Sequence, residues 1–146
     1  MSPFFIRYFS KNVRPIYIDT KSAKVIKKFI QYLNLKFDII IDDGSHNIKD
    51  QMISLKCLFP HLNERGTYII EDLTQFKIVP NLNPDNEKKT TIDLLWSLKK
   101  KRNFFSSYFT KKEFFFLKKN IKNISFEKGT YVEKGVNISD IVFIQK

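Results

Sequence analysis

The sequence predicts an α/β fold in which parallel strands are joined by helices that cross between them. Short apolar runs alternate with stretches of helical period through the first two thirds of the chain, a β-α-β-α-β series. One run, Phe37 to Ile41, is apolar apart from Asp38, the pattern of a strand buried on both faces. Hydrophobic residues make up 42% of the 146, enough for a packed core and too many for a disordered tail.

The elements follow in order. Ile16, Tyr17 and Ile18 form a β-prone run after Pro15, and Asp19, Thr20 and Ser22 offer caps for the helix behind it. Val25, Ile26, Phe29, Ile30 and Leu33 recur on one helical face. The strand Phe37–Ile41 comes next, with Gly44 and Ser45 as its turn. Ile48, Met52, Leu55 and Phe59 make one stripe of a second helix, which ends between Pro60 and Gly66. Thr67 to Ile70 is the following strand and closes on Glu71 and Asp72. Residues 76–89 contain Pro80 and Pro84 and read as a loop; residues 90–101 read as a helix with Ile92, Leu95 and Trp96 on one side. Residues 114–123 fit a helix or a strand. Ile141 to Ile144 is a terminal strand, with residues 125–131 as its hairpin partner.

Composition excludes several classes. Gly44, Gly66, Gly129 and Gly135 are the only glycines, so no Gly-rich phosphate or dinucleotide loop can be written in this sequence. Cys57 is the only cysteine, which excludes an internal disulfide framework and a cysteine zinc site and fits a reducing, cytoplasmic compartment. No apolar run is long enough to cross a bilayer, and Arg7 interrupts the apolar N-terminal stretch of a would-be secretory signal. The formal charge is +11, yet residues 38–72 hold seven acids and three bases. A strongly basic chain thus carries a local acidic island.

That island sits where chemistry is expected. In open α/β sheets ligands bind beyond the carboxyl ends of the strands. One such end reads Asp42-Asp43-Gly44-Ser45-His46 and another Glu71-Asp72. If the two strands are neighbours, their ends lie about 5 Å apart. Carboxylates so close repel unless a cation compensates, and oxygen ligands favour Mg²⁺ or Ca²⁺. His46 is placed to take a proton from a hydroxyl near neutral pH. The plainer alternatives are that Asp42 or Asp43 caps the helix starting near His46, that His46 is structural, and that Glu71 and Asp72 are loop acids.

The stretch Phe37-Asp-Ile-Ile-Ile-Asp-Asp-Gly-Ser-His46, then Leu58-Phe-Pro-His-Leu62 and Gly66-Thr-Tyr-Ile-Ile-Glu-Asp-Leu73, resembles class I S-adenosylmethionine-dependent methyltransferases. The nearest branch is the macrocin, mycinamicin and rhamnosyl O-methyltransferase group, with cephalosporin-hydroxylase-like relatives. The matched core spans about residues 16–74. The resemblance implies a Rossmann-like sheet and a Mg²⁺-assisted O-methyltransferase acting on a sugar hydroxyl of a saccharide or glycosylated metabolite, with S-adenosylmethionine as methyl donor. It makes Asp43 and Asp72 metal ligands, with Glu71 a further ligand, and His46 the general base. Asp19 and Asp42 are carried to the cofactor side, Asp42 alternatively to a position behind the ligands.

The chain also departs from that family. The Gly-rich strand-loop-helix for the cofactor has no counterpart, nor has the ribose-binding strand after it. The family sheet order is 3-2-1-4-5-7-6, so with residues 16–18 as strand 3 and Phe37–Ile41 as strand 4, the missing strands are central. Residues 1–146 are therefore expected to be one methyltransferase-like domain shortened on its N-terminal side. Three arrangements would satisfy the edge of strand 4: a substitute strand from Phe4 to Phe9, direct pairing of strands 3 and 4, or an N-terminal half on another polypeptide. The rival functions are a non-catalytic remnant or half of a split enzyme, and a nucleic-acid module. Residues 99–128 hold ten bases and two acids interleaved with phenylalanines, which suits single-stranded nucleic acid but suits a half-buried helix with wet lysines better. A homo-oligomer is a further expectation.

Overall fold

The computed structural model describes residues 16–146. Helix α1 (Ala23–Leu33) starts at Ser22, whose side chain accepts from the Val25 N–H, and buries Ile26 and Ile30. It stops at Asn34, which turns left-handed (φ 48°) and donates its N–H to the Ile30 carbonyl. Strand β1 (Phe37–Asp42) leads to helix α2 (Ile48–Leu58), whose N-cap is Asn47. After one 3₁₀ turn comes strand β2 (Leu62–Ile70). Helices α3 (Thr91–Lys99) and α4 (Lys111–Asn120) each open with a capping box, Thr90 with Asp93 and Thr110 with Glu113. Strands β3 (Asn123–Glu127), β4 (Val132–Glu133), β5 (Val136–Asn137) and β6 (Ile141–Gln145) complete the chain. No helix among the described residues is long and apolar enough to cross a membrane.

The main sheet has the order β1-β2-β6-β3, with β4 and β5 forming a separate small ribbon. β1 and β2 run parallel with α2 between them in sequence, while β6 is antiparallel to both β2 and β3. This is the 4-5-7-6 portion of the order expected from the resemblance.

Strand alternation sorts the side chains onto two faces. Ile40, Tyr68, Ile70, Val142, Ile144, Ile124 and Phe126 share one face through the register. They pack with Met52 and Leu55 of α2, Leu94, Leu95 and Leu98 of α3, and Phe114 and Leu117 of α4 in one core. Burying a side chain of this kind contributes about 1.5–3 kcal/mol. The other face carries Ile39, Ile41, Ile69, Ile141 and Phe143, and none of the five joins either hydrophobic cluster. Ile39 and Ile41 remain 60% and 58% exposed. Among the described residues, then, the sheet has helices packed on one side only, and β1 is an edge.

The exposed Ile39 and Ile41 overturn the two-sided burial expected of Phe37–Ile41; two further expectations change and one open choice is settled. Residues 16–18 form no strand; Ile16 and Tyr17 are exposed, and Ile18 packs on the small cluster of Ile26, Ile30, Ile53 and Cys57. A β-prone run becomes a strand only when a neighbour accepts its hydrogen bonds, and no described strand does. Direct pairing of residues 16–18 with β1 is thereby excluded, whereas the Phe4–Phe9 strand lies outside the described residues. Residues 111–120 settle as helix because Thr110 and Glu113 nucleate it, and the chain turns to strand only at Asn123. β2 begins at Leu62 rather than Thr67, because its register on β1 slips between the Phe37–Leu62 and Ile39–Thr67 pairs. Gly66 makes the slip possible: a Cβ there would meet the Asn63 carbonyl oxygen at 2.9 Å and that of Asp38 at 3.1 Å.

Candidate metal and catalytic site

The parallel pairing of β1 and β2 puts Asp42 opposite Ile70, so the two acidic strand ends meet. The Glu71 N–H donates to the Asp42 carbonyl at 3.1 Å and continues the ladder one residue past the strand. Gln51 of α2 donates to the Glu71 carbonyl, and the Leu73 N–H donates to the Asp140 carbonyl. The second strand end is thus tied to β1, to α2 and to the start of β6.

Between β1 and α2 the turn is built by Ser45. Its hydroxyl donates to the buried Asp50 carboxylate at 2.7 Å and accepts from the Asn47 N–H. Asn47 in turn accepts from the Lys49 N–H at 2.9 Å and caps α2. Neither Asp42 nor Asp43 is the cap, so the helix-cap alternative for those acids is excluded. Asp50 was not singled out from the sequence; an acid in the first helical turn three residues behind an Asn cap was the available signal.

Asp43, His46 and Asp72 converge. Each offers one ligand atom, and these atoms lie within 4.8 Å of one another. The His46 Nε2 is 3.8 Å from Asp43 Oδ1 and 3.8 Å from Asp72 Oδ2. Both His46 (φ 54°) and Asp72 (φ 52°) have left-handed backbone. That conformation costs a non-glycine residue roughly 1–2 kcal/mol and gathers at functional sites. Here it turns the two side chains toward each other. The His46 Nδ1 is buried without a hydrogen-bond partner among the described residues. Nothing described therefore locks the tautomer through that nitrogen.

The remaining predicted residues lie elsewhere. Asp42 points to the packed face, where its carboxylate accepts from the Tyr68 hydroxyl at 3.1 Å. Burial pushes its carboxyl up to about 6, against the smaller opposing effects of the Tyr68 and Gly44 hydrogen bonds and His46. The Tyr68 hydroxyl is itself pushed well up, by burial and then by Asp42. Glu71 is beside the cluster in sequence, but its carboxylate is not one of the converging three. Asp19 is exposed, and its carboxylate accepts from the Lys21 N–H at 3.0 Å in the turn before α1. As placed, Asp42 serves the core and Asp19 a turn.

Two carboxylate oxygens gathered at the carboxyl ends of adjacent parallel strands suit a hard divalent cation, and the imidazole stands beside them. The strand order defines a fold class, part of a Rossmann-like methyltransferase sheet, with a candidate metal cluster at its strand ends. No known family profile matches the chain. Over 37 residues it is 54% identical to demethylmacrocin O-methyltransferase of Streptomyces fradiae, which is 25% of this chain and 9% of that protein. Over 61 residues it is 38% identical to mycinamicin VI 2''-O-methyltransferase of Micromonospora griseorubida, 42% of this chain and 15% of that protein. The whole chain superposes on MycE methyltransferase of the mycinamycin pathway, solved with Mg, SAH and mycinamycin VI, with a TM-score of 0.66 and 25% identity. It spans 34% of that chain. The resemblance seen in the sequence is thus found again among sugar O-methyltransferases, and the protein spans only a minor part of each.

Proposed function

We propose that this chain is the metal- and base-bearing part of an S-adenosylmethionine-dependent, Mg²⁺-assisted O-methyltransferase whose acceptor is a sugar hydroxyl of a small glycosylated molecule. The convergence of Asp43, His46 and Asp72 within 4.8 Å carries this reading. The relatives' names support it: mycinamicin VI 2''-O-methyltransferase and the tetracenomycin rhamnosyl O-methyltransferase of Streptomyces olivaceus both modify sugar hydroxyls.

Asp43 and Asp72 would hold the cation, and Glu71 stands next to them as a reserve ligand. A cation held there lowers the pKa of an acceptor hydroxyl and orients it. His46 lies between the carboxylates, and its Nε2 takes the hydroxyl proton as the oxygen attacks the donor methyl. With Asp19 in a turn, Asp42 in the core and no Gly-rich loop among residues 1–146, most of the contacts to S-adenosylmethionine come from outside the described residues. On this reading residues 1–146 belong to one methyltransferase-like domain whose cofactor-binding part lies outside the described residues.

Calorimetric titration of Mg²⁺ and then S-adenosylmethionine tests it. Mg²⁺ binding near one to one, weakened at least tenfold by Asp43→Asn, is the expected result. His46→Ala should keep Mg²⁺ binding and abolish methyl transfer in any active assembly. Mg²⁺ binding untouched by Asp43→Asn and Asp72→Asn would end the metal assignment, and turnover retained by His46→Ala would remove it as the base.

A further inference from the structure

We infer that the cavity between α1, the end of α2 and α4 is a binding site for a small phosphate monoester with an apolar body. It lies apart from the metal cluster and does not depend on the methyltransferase reading.

The cavity has a volume of about 360 Å³, within the roughly 300–1,000 Å³ of small-molecule sites. Helical spacing builds its walls. Lys27 and Gln31 stand one turn apart on α1, and Lys112 and Phe116 one turn apart on α4, so each pair faces the same way. Between them the end of α2 and the turn after it bring Lys56, Cys57 and His61. The metal cluster follows the carboxyl ends of β1 and β2, whereas His61 precedes Leu62 at the amino end of β2. The nine residues of that strand put roughly 25 Å between the two places.

Charge selects the ligand. Among the described residues, three lysines line the cavity against one acid, Glu113. That acid is already engaged, because its Oε2 accepts from the Thr110 N–H at 2.9 Å and from the Thr110 hydroxyl at 3.0 Å. Lys27 Nζ lies 3.6 Å from Oε1 and Lys56 Nζ 3.5 Å from Oε2, so two ammoniums share one carboxylate, and Lys112 adds a third. The Lys56 side chain is only 13% exposed. Of its three N–H groups, one donates to the Tyr108 carbonyl and one to Glu113, and the third has no acceptor among the described residues. An ammonium so far from water, with a shared counter-ion and a free donor, is relieved by an anionic oxygen.

The other groups fit the same ligand. Burial, then Lys36 and Lys146, hold the His61 imidazole below its ordinary value, so at neutral pH it offers a ring N–H without a charge. Gln31 offers amide donors. Burial pushes the Cys57 thiol up, so it adds no negative charge. Three ammoniums against one carboxylate leave two surplus positive charges, the match for a phosphate monoester, which carries about −1.5 to −2 at pH 7. Lysine binds phosphate as a point charge. Cys57, Pro60 and the exposed Phe116 complete the wall with apolar surface for the body of the ester.

The test is titration of phenyl phosphate into the protein near neutral pH with a chelator present, followed by calorimetry and by amide chemical shifts. Salt at about 0.15 M screens the overall charge of +11 beyond about 8 Å. Saturable one-to-one binding is expected, with shifts at Gln31, Cys57 and His61 and none at Asp43 or Asp72. Lys27→Gln and Lys112→Gln should each raise Kd about fivefold, the scale of one partly screened charge. Because the Lys27 side chain is 56% exposed, that variant should melt within a few degrees of the unaltered chain, which separates lost binding from lost folding. Lys28→Gln removes the same charge from α1 outside the cavity and should leave Kd unchanged. Inorganic phosphate has the charge without the ring, and benzoate the ring with one charge; each should bind about fivefold more weakly. The inference is overturned if phenyl phosphate does not saturate, or if its shifts fall on the metal cluster. An equal loss in Lys28→Gln overturns it, since the attraction is then that of any basic chain. Inorganic phosphate or benzoate binding as tightly as phenyl phosphate also overturns it, since the ring or the second charge then plays no part.

Discussion

Replacing Asp42 with Asn should stabilise the protein and remove one component of its pH dependence. The Asp42 carboxyl lies against the core and titrates at about 6, whereas in the unfolded chain it returns to about 3.8. The folded state therefore holds the proton more tightly. In consequence stability from this group is greatest below about pH 4, falls as pH rises from 4 to 6, and is flat above roughly 7. A carboxyl so displaced costs about 3 kcal/mol at pH 8, since each tenfold in proton affinity is worth about 1.4 kcal/mol. This is a large part of the 5–15 kcal/mol by which domains are typically stable. Asn keeps an acceptor for the Tyr68 hydroxyl and removes the charge. Urea unfolding of both proteins from pH 4 to 8.5, with a chelator to exclude metal, measures the difference directly. We expect Asp42→Asn to be about 2–3 kcal/mol more stable at pH 8, the gap closing toward pH 4. An equal or lower stability at pH 8, or a gap that does not change with pH, would refute the reasoning.

Two further substitutions probe the local geometry. Gly66→Ala should cost about 1–3 kcal/mol, because the new methyl meets two backbone oxygens that cannot rotate away; a change under about 0.5 kcal/mol in urea unfolding would mean the β2 slip is soft. Ser45→Ala leaves the buried Asp50 carboxylate without its 2.7 Å donor and should cost about 1–3 kcal/mol, with Mg²⁺ affinity falling too as the His46 turn loosens; unchanged melting would show that the turn is held by Asn47 alone.

Much of the arrangement was legible because it depends on periodicity and caps. The stripe Ile48, Met52, Leu55, Phe59 is buried as its spacing requires. Phe37–Ile41 and Thr67–Ile70 are adjacent parallel strands, so the acids that follow them in sequence meet in space. Other features depend on partners, which a single sequence does not contain. The run at residues 16–18 has strand composition but no neighbour to pair with. The buried pattern of Phe37–Ile41 promised cover on both faces, yet Ile39 and Ile41 are exposed. The phenylalanines between 104 and 116 read better as a half-buried segment than as a stacking surface, and Phe104 and Phe114 turn into the core while Phe105 and Phe115 face outward. Asp42 and Asp43 are neighbours with opposite fates, because strand alternation sends one toward Tyr68 and the other toward His46.

The one-sided sheet has a colloidal consequence. Among the described residues β1 is an open edge beside exposed Ile39 and Ile41; surfaces of this kind favour self-association, and a shared charge of +11 opposes it. That repulsion reaches about 30 Å at 0.01 M salt but only about 8 Å at 0.15 M. Residues 1–146 are therefore best kept in dilute, low-salt solution, and their solubility should fall as salt is added.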